Sequence, residues 1–275
     1  SYPMYAVIFS NGSDILKRIV IKVGSSTLTY ENGRPNLRRI DEICRVVADL
    51  KNIGHEVVLV SSGAVAVGVN RLGLKERPKD VRYKQAAAAI GQADLVSLYD
   101  RFFSDYGYIA SQVLLTGSTV STPDRKENLT NTFEALLEYG VVPVINENDS
   151  VSIEELVLGD NDKLSAIVAT LIGADQLIIL TDIDALYDRN PKTDPTAKPI
   201  RVVEKITDEM MSEAGGSGSN RGTGGMQTKL TAIRMANENG ICANIISGSD
   251  PKLIYDAVEG REAGTFFKAG GRSDS

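Results

Sequence analysis

Two short polar clusters contain the side chains best suited to chemistry in this sequence. The first, 146–149 (NEND), follows the apolar run 141–145, and the second, 159–163 (GDNDK), opens an apolar pattern with helical spacing. A buried strand with a polar end is where parallel α/β sheets bind their ligands. Amide and carboxylate groups from two such clusters could hold the ammonium group of an amino acid, a metal ion or cationic side chains.

A glycine-rich segment at 214–225 precedes a further candidate, Lys229. Glycines at the start of a helix expose backbone N–H groups, and the helix dipole adds partial positive charge, so an anion can bind there. Lys229 in the first turn would place an ammonium group beside that anion. Taken alone, the segment could instead be a flexible linker, which is the less favoured alternative. Its spacing matches neither the P-loop nor the Rossmann dinucleotide motif, so those two nucleotide sites are excluded.

Lys22 interrupts the apolar run 18–23 just before Val23 and Gly24. A lysine in a buried strand is costly unless its ammonium group meets an anion. The alternative is an edge strand from which the side chain reaches solvent. Asp162 and Asp182 are expected at the same end of the sheet, where each could also be a helix cap or a turn residue.

Composition and the single histidine exclude several classes of protein. His55 is the only histidine, which argues against a Ser-His-Asp triad, a histidine-rich metal site and a Cys-His pair, and a structural role is expected for it. The net charge of -6 argues against nucleic-acid and anionic-membrane partners. No apolar run has the length of a membrane span. Cys44 and Cys242 are expected to be buried free thiols, which fits a reducing cytoplasm.

Apolar strand and helix patterns alternate along the whole chain. Strands are predicted at 18–23, 56–60, 109–116, 141–145, 176–180 and 241–246, and helices at 36–53, 81–106, 124–139, 163–172, 226–239 and 251–259. This alternation predicts an α/β fold, with a mainly parallel sheet sandwiched by helices on both faces. The proline-rich segment 188–199 is expected to be an exposed loop or lid.

These residues suit phosphoryl transfer, in which catalysis is mostly positioning and charge neutralisation by lysines, Mg²⁺ and backbone N–H groups. A hydroxyl acceptor usually requires a base, whereas a carboxylate with a pKa of about 4.3 is already ionised at neutral pH. A chain without an obvious base therefore favours a carboxylate acceptor and an acyl phosphate product, although an aspartate could act as a base.

Seven segments resemble, in order and spacing, the glutamate 5-kinases of the amino-acid kinase family. They are IVIKVGSSTL, VVLVSSGAVAVG, QAAAAIGQADL, VVPVINENDSV, GDNDKLSA, LIILTDIDALY and GTGGMQTKLTA. The resemblance implies ATP-dependent phosphorylation of the side-chain carboxylate of L-glutamate, the first step of proline biosynthesis. It also implies a transferase in the cytoplasm that uses ATP and Mg²⁺. The competing hypotheses are a kinase of the same fold for another small carboxylate or phosphate acceptor, and a non-catalytic amino-acid sensor.

The resemblance also implies roles for individual residues. Lys22, Asp162 and Lys229 would be catalytic, with Asp162 orienting the two lysines, and no residue is assigned to a metal. Ser62, Asp149 and Asn161 would bind glutamate. The expected ATP-binding residues are Lys22, Gly24, Ser25, Thr181, Asp182, Thr223, Gly224, Gly225, Met226, Gln227, Thr228 and Lys229.

The expected domain organisation is an extension at 1–17 followed by an amino-acid kinase domain at 18–275. Within that domain the N-terminal part would bind glutamate, and the part from about residue 175 would bind ATP. A C-terminal PUA domain, which many members carry, is not expected. By resemblance we also expect a homo-oligomer, a dimer or tetramer with 85–103 as a candidate interface. Inhibition by proline and possible channelling to glutamyl phosphate reductase are further expectations.

Overall fold

The computed structural model describes residues 15–151, 161–191, 193–215 and 225–270. Eight strands in this part of the chain form one sheet, in the order β3-β4-β2-β1-β5-β9-β10-β8. Neighbouring strands are parallel except β9 and β10. The predicted α/β architecture is therefore confirmed. The strands are β1 Arg18–Val23, β2 Glu56–Ser61, β3 Ala110–Leu115, β4 Val142–Glu147, β5 Gln176–Thr181, β8 Val202–Val203, β9 Cys242–Ser247 and β10 Thr265–Phe267.

Helices cover both faces of the sheet. The helices of the described residues are α1 Ser25–Leu28, α2 Leu37–Ile53, α3 Ala64–Arg71, α4 Val81–Asp105, α5 Gly117–Ser121, α6 Pro123–Glu138, α7 Asn161–Leu171, α8 Asp208–Gly215, α9 Met226–Glu238 and α10 Leu253–Val258. One core lies between the sheet and α6, α7 and α9. The other core lies between the sheet and α2, α3, α4 and α10. Because β1, β2 and β5 are buried by both layers, their sequences are almost uninterrupted apolar runs.

Strand register brings the polar strand ends to one edge of the sheet. Lys22 on β1 is level with Val60 on β2 and Ile179 on β5. Val60 is in turn level with Ile145 on β4, so Ser61 and Asn146 follow at the same height. Since these strands are parallel, their carboxyl ends face a common space, as expected for a ligand site in an α/β sheet.

Two glycines let α3 and α4 approach each other at backbone distance. A Cβ atom on Gly68 would lie 1.7 Å from the carbonyl oxygen of Ala87. A Cβ atom on Gly91 would lie 1.8 Å from the carbonyl oxygen of Ala64. Any side chain at either position would force the helices apart, so both positions require glycine.

The structure corrects several sequence predictions. Helix α6 begins at Pro123, with Thr122 at the N-cap position, so the helix predicted from residue 124 starts one residue earlier and Asp124 lies in its first turn. The pattern did not predict α3 or the short strands β8 and β10. The segment 188–199 joins a small antiparallel pair, β6 Leu186–Tyr187 and β7 Pro199–Ile200.

Three side chains expected to be structural can be compared with their predictions. His55 is buried, and its Nδ1 accepts a hydrogen bond from the backbone N–H of Lys17, which fits a structural role. Both cysteines are free thiols; Cys44 is buried, whereas Cys242 is only half-buried.

In the described residues, no helix has the length and apolar character needed to cross a membrane.

Candidate active site

Three charged side chains meet at the carboxyl edge of the sheet, although charged residues are rarely buried. Lys22 comes from β1, Asp162 from the first turn of α7, and Lys229 from the first turn of α9. Their exposed fractions are 3%, 0% and 5%. The structure thus brings together all three residues that the sequence predicts to be catalytic.

Asp162 lies between the two ammonium groups. Its Oδ1 is 2.8 Å from Nζ of Lys22, and its Oδ2 is 3.3 Å from Nζ of Lys229. The hydroxyl of Thr228 donates a hydrogen bond to the same Oδ2 at 2.9 Å, which gives this carboxylate a third polar contact. We call Lys22, Asp162, Thr228 and Lys229 the charged cluster. One carboxylate thus faces two buried ammonium groups, and ammonium groups are suited to neutralising the charge of a phosphoryl group.

Asn161, the neighbour of Asp162, turns to a second and uncharged group. Its Nδ2 lies 2.8 Å from the carbonyl oxygen of Ser61, 3.0 Å from Oγ of Ser62 and 2.8 Å from Oδ1 of Asn146, so its two hydrogens are shared among three acceptors. The amide of Asn146 donates in turn to Oε1 of Gln92 on α4, also at 2.8 Å. We call Ser61, Ser62, Asn146 and Asn161 the amide cluster.

The hydroxyl of Ser62 accepts a hydrogen bond within the amide cluster. A serine hydroxyl carries one hydrogen and two acceptor positions. Because the amide of Asn161 donates to Ser62, the hydrogen of that hydroxyl points elsewhere and is available to a carboxylate. The turn that follows is made by Gly63, whose φ of 98° favours glycine, and it leads directly into α3.

Asp149 lies in the turn after β4 and has an unusual carboxyl group. Burial, followed by the negative charge of Glu147, raises the pKa of Asp149 to about 6, and the positive charge of Arg77 opposes this shift. The carboxylate remains mostly ionised at neutral pH. A partly desolvated carboxylate of this kind suits a cationic ligand such as an ammonium group.

The remaining predicted residues follow the carboxyl ends of β1 and β5 and the start of α9. Gly24 is the N-cap of α1, and a Cβ atom there would lie 3.8 Å from Nζ of Lys22. Ser25 is exposed, Thr181 is buried, and the Thr181 hydroxyl donates to the exposed Asp182. Gly225 is the N-cap of α9, without a capping side chain, and Met226 and Gln227 follow it. Thr223 and Gly224 lie outside the described residues.

Comparison with known proteins identifies the family. A sequence profile described as the amino acid kinase family matches residues 17–247. The glutamate 5-kinase of Clostridium perfringens (strain 13 / Type A) is 51% identical over 257 residues, which cover 92% of this chain and 96% of that protein. The chain belongs to the amino acid kinase family, in its glutamate 5-kinase branch. The resemblance found in the sequence motifs is therefore confirmed.

Other members of the branch differ in length. The glutamate 5-kinase of Listeria innocua serovar 6a is 49% identical, and the match covers 91% of this chain and 92% of that protein. The glutamate 5-kinase of Thermoanaerobacter sp. (strain X514) is 48% identical, but the match covers only 67% of that protein.

Solved structures support the amino acid kinase fold. An isopentenyl phosphate kinase from T. acidophilum superposes with a TM-score of 0.65 at 18% identity, over 91% of this chain and 100% of that chain. Carbamate kinase from Giardia lamblia gives a TM-score of 0.65 at 13% identity, over 93% of this chain and 99% of that chain. At these identities the similarity establishes the fold alone.

In this member of the family, sequence reasoning did not single out several site residues. The structure adds Ser61, Asn146 and Gln92 to the surroundings of Asn161, and shows that Thr228 contacts Asp162. Asn146 stands in the polar cluster 146–149 that the sequence already marks. Ser61 follows an apolar strand pattern and precedes the predicted site residue Ser62, whereas Gln92 lies within a helical pattern whose local sequence does not indicate contact with the site.

Proposed function

We propose that this protein transfers the γ-phosphoryl group of ATP to the side-chain carboxylate of L-glutamate, giving L-glutamyl 5-phosphate and ADP. The observation that carries the proposal is the divergence of Asn161 and Asp162. Asn161 lies in a neutral group suited to recognising an amino acid, and Asp162 lies between two lysines suited to a phosphoryl group. The glutamate 5-kinases to which the chain is similar give the acceptor its identity.

The amide cluster and Asp149 would hold glutamate. The Asp149 carboxylate would bind its ammonium group, while Ser62 and Asn161 would hydrogen-bond to it. Its side-chain carboxylate would then face the charged cluster as the nucleophile. Since a carboxylate with a pKa of about 4.3 is ionised at neutral pH, the reaction needs no base to remove a proton.

The charged cluster would stabilise the transferring phosphoryl group. Lys22 and Lys229 would neutralise the charge on its oxygens, and Asp162 would keep both ammonium groups in place. The backbone of Gly24 and Ser25 and the start of α9 would provide N–H donors to the phosphates. Thr223 and Gly224 would extend this loop, and Thr181 and Asp182 would contact the nucleotide. The N-terminal part would thus bind glutamate, and the part from about residue 175 would bind ATP together with Lys22, Gly24 and Ser25.

Mg²⁺ would enter this site together with the nucleotide. In the described ranges, no three acidic, histidine or cysteine side chains are grouped closely enough to hold a metal ion. The carboxylate at the centre, Asp162, is already in contact with two ammonium groups. Mg²⁺ commonly keeps several water ligands and binds substrate phosphates, so this donor set fits a metal carried by ATP.

The biological setting belongs to the same proposal. The reaction would be the first step of proline biosynthesis in the cytoplasm. The protein would be a homo-oligomer, inhibited by proline, that passes its labile acyl phosphate to glutamyl phosphate reductase. What supports this setting is the similarity to glutamate 5-kinases.

An acceptor panel tests the proposed reaction. The protein is incubated with ATP, Mg²⁺ and either L-glutamate, L-aspartate or UMP, with and without proline, and the acyl phosphate is trapped as a hydroxamate while ADP is measured. We expect hydroxamate and ADP with glutamate alone, and less of both when proline is present. ADP release with aspartate or UMP, without a glutamate-dependent hydroxamate, would refute the proposed acceptor. Unchanged turnover with proline would refute only the proposed inhibition.

A further inference from the structure

Tyr99 is a buried tyrosine whose hydroxyl group contacts the segment that carries Ser62. It lies on α4 with an exposed fraction of 1%, and its hydroxyl is 3.0 Å from Oγ of Ser61. A buried tyrosine hydroxyl normally needs a hydrogen-bond partner, and here the partner is at the carboxyl end of β2. The proposed function assigns no role to Tyr99 or to the side chain of Ser61.

The direction of this hydrogen bond follows from counting hydrogens. The single hydroxyl hydrogen of Ser61 is donated to the carbonyl oxygen of Ser62 at 3.2 Å. Tyr99 must therefore donate to Ser61, because Ser61 has no second hydrogen to give. Burial raises the pKa of Tyr99 far above neutrality, so its hydroxyl keeps the proton that it donates. The result is a directed chain from Tyr99 to Ser61 and on to the Ser62 backbone.

This chain fixes the same two residues that Asn161 holds from the other side. The amide of Asn161 donates to the carbonyl oxygen of Ser61 and to the hydroxyl of Ser62. Tyr99, coming from α4, restrains the side chain of Ser61 and, through it, the carbonyl oxygen of Ser62. Ser61 and Ser62 are thus held between two helices, α4 and α7.

We propose that Tyr99 is a positioning residue for glutamate binding, an inference that rests on the proposed function. The Tyr99 hydroxyl sets the rotamer of Ser61. In that rotamer Ser61 holds the backbone of Ser62, and the Ser62 hydroxyl is directed to the substrate. If the hydroxyl is removed, Ser61 can rotate away from the Ser62 carbonyl, and the segment loses one of its two restraints. The loss affects glutamate recognition and leaves the charged cluster in place.

A purely structural tyrosine is the competing interpretation. The ring of Tyr99 packs beside that of Phe103, with centroids 6.4 Å apart, and a phenylalanine would fill the same space. The two interpretations differ only in the hydroxyl group. Tyr99→Phe removes that group with little change in packing, so it separates them.

The test measures Tyr99→Phe beside Tyr106→Phe. Tyr106 follows α4 as its C-cap, and its hydroxyl donates to Asp41 on α2, so this control also loses one tyrosine hydrogen bond. For Tyr99→Phe we expect the glutamate KM and the calorimetric Kd to rise about three- to tenfold, the range of one hydrogen bond. The kcat and the KM for ATP should stay within about twofold. Tyr106→Phe should leave all four constants unchanged.

Ser61 provides the second arm of the test. Ser61→Ala should raise the glutamate KM as Tyr99→Phe does, and the double variant should be no worse than either single variant, because both remove the same chain. Ser61→Thr keeps the hydroxyl and should raise the glutamate KM less than Ser61→Ala does. Additive effects in the double variant would overturn the inference. Equal changes in Tyr99→Phe and Tyr106→Phe would also overturn it, since they indicate a general loss of stability.

The outcome for the wild type separates this inference from the proposed function. If the wild type forms no glutamate-dependent hydroxamate, the proposed function fails and this inference fails with it. If the wild type phosphorylates glutamate and Tyr99→Phe has unchanged glutamate constants, the inference alone fails.

Discussion

The charged cluster and the amide cluster meet at one peptide bond, between Asn161 and Asp162, yet they are built on opposite principles. The charged cluster buries two lysines and one aspartate, paired through ion pairs of 2.8 and 3.3 Å. The amide cluster contains only neutral donors and acceptors, joined by hydrogen bonds of 2.8–3.0 Å. Consecutive helix residues point in directions about 100° apart, so the first turn of α7 can serve both clusters.

This difference indicates how the two clusters contribute to a reaction. Buried charges stabilise a transition state in which charge moves to new atoms more than they stabilise the ground state. The charged cluster should therefore affect kcat. Neutral hydrogen bonds recognise a ground-state ligand about as well as a transition state, so the amide cluster should affect KM. Four predictions test this division, from the largest expected effect to the smallest.

Replacing Asp162 should have the largest effect, because it acts on both stability and rate. In Asp162→Asn the buried ammonium groups of Lys22 and Lys229 lose their carboxylate. Breaking a buried ion pair from one side typically costs about 3–5 kcal/mol of unfolding free energy. Urea unfolding measures this loss, and kcat should fall as well. Asp208→Asn is the control, since Asp208 is 97% exposed in its pair with Arg234 and its replacement should change little. Equal midpoints for the two variants would contradict a buried ionic centre.

Removing Lys229 should separate rate from recognition. We expect Lys229→Ala to lower kcat by about 10²–10³, the usual cost of one such charge stabiliser, while calorimetric binding of glutamate stays close to wild type. Lys163→Ala is the matched control, because Lys163 is an exposed lysine beside Asp162 on the same helix. A glutamate affinity that falls as far as kcat would mean that Lys229 belongs to the recognition side.

Asp149 should show the opposite pattern. In Asp149→Ala the glutamate KM should rise about ten- to a hundredfold, the range for a hydrogen bond to a charged group, with a smaller change in kcat. Steady-state kinetics at saturating ATP measures both constants. A fall in kcat at unchanged KM would place Asp149 with the charged cluster instead.

The smallest effect concerns pH. Burial and the charge of Glu147 raise the pKa of Asp149 to about 6, so its carboxylate becomes protonated as the pH falls through that value. The protonated form cannot pair with an ammonium group, and the ionised fraction falls about tenfold from pH 7 to pH 5. The glutamate KM should rise to match. Asp149→Asn, which does not titrate, should have a higher KM that is flat over this range. A wild-type KM that is flat as well would exclude Asp149 as the ammonium ligand.

Sequence patterns predicted the central sheet well and its edges poorly, for a physical reason. β1, β2 and β5 are buried on both faces, so almost every residue in them is apolar and the runs are obvious. β8 and β10 have only two and three residues, too few to show any pattern. Helix α3 was missed because Gly68 in its interior is a residue that normally disfavours helices, and its packing reason appears only once α4 is in place.

The site could be predicted in its residue types but only partly in its contacts. Lys22 is conspicuous because a charge stands in an apolar strand, and the polar clusters around Asn146 and Asp162 stand out at the ends of apolar patterns. The contact between Asn146 and Asn161 depends on β4 lying next to β2 and on where α7 begins. Neither the pairing of β4 with β2 nor the first residue of α7 can be read from the spacing of residues in the local sequence. Gln92 and Tyr99 contribute single polar atoms from a long helix, and only the packed structure reveals them.

The close contact between α3 and α4 acts as a fixed point for the amide cluster. Gly91 immediately precedes Gln92, and the opposite contact is made by Ala64, two residues after Ser62. The two helices therefore touch within two residues of Gln92 and of Ser62. No side chain separates their backbones at this contact. Main-chain atoms therefore set the positions of Gln92 and Ser62. A methyl group added at Gly91 would shift the amide cluster without altering any of its residues.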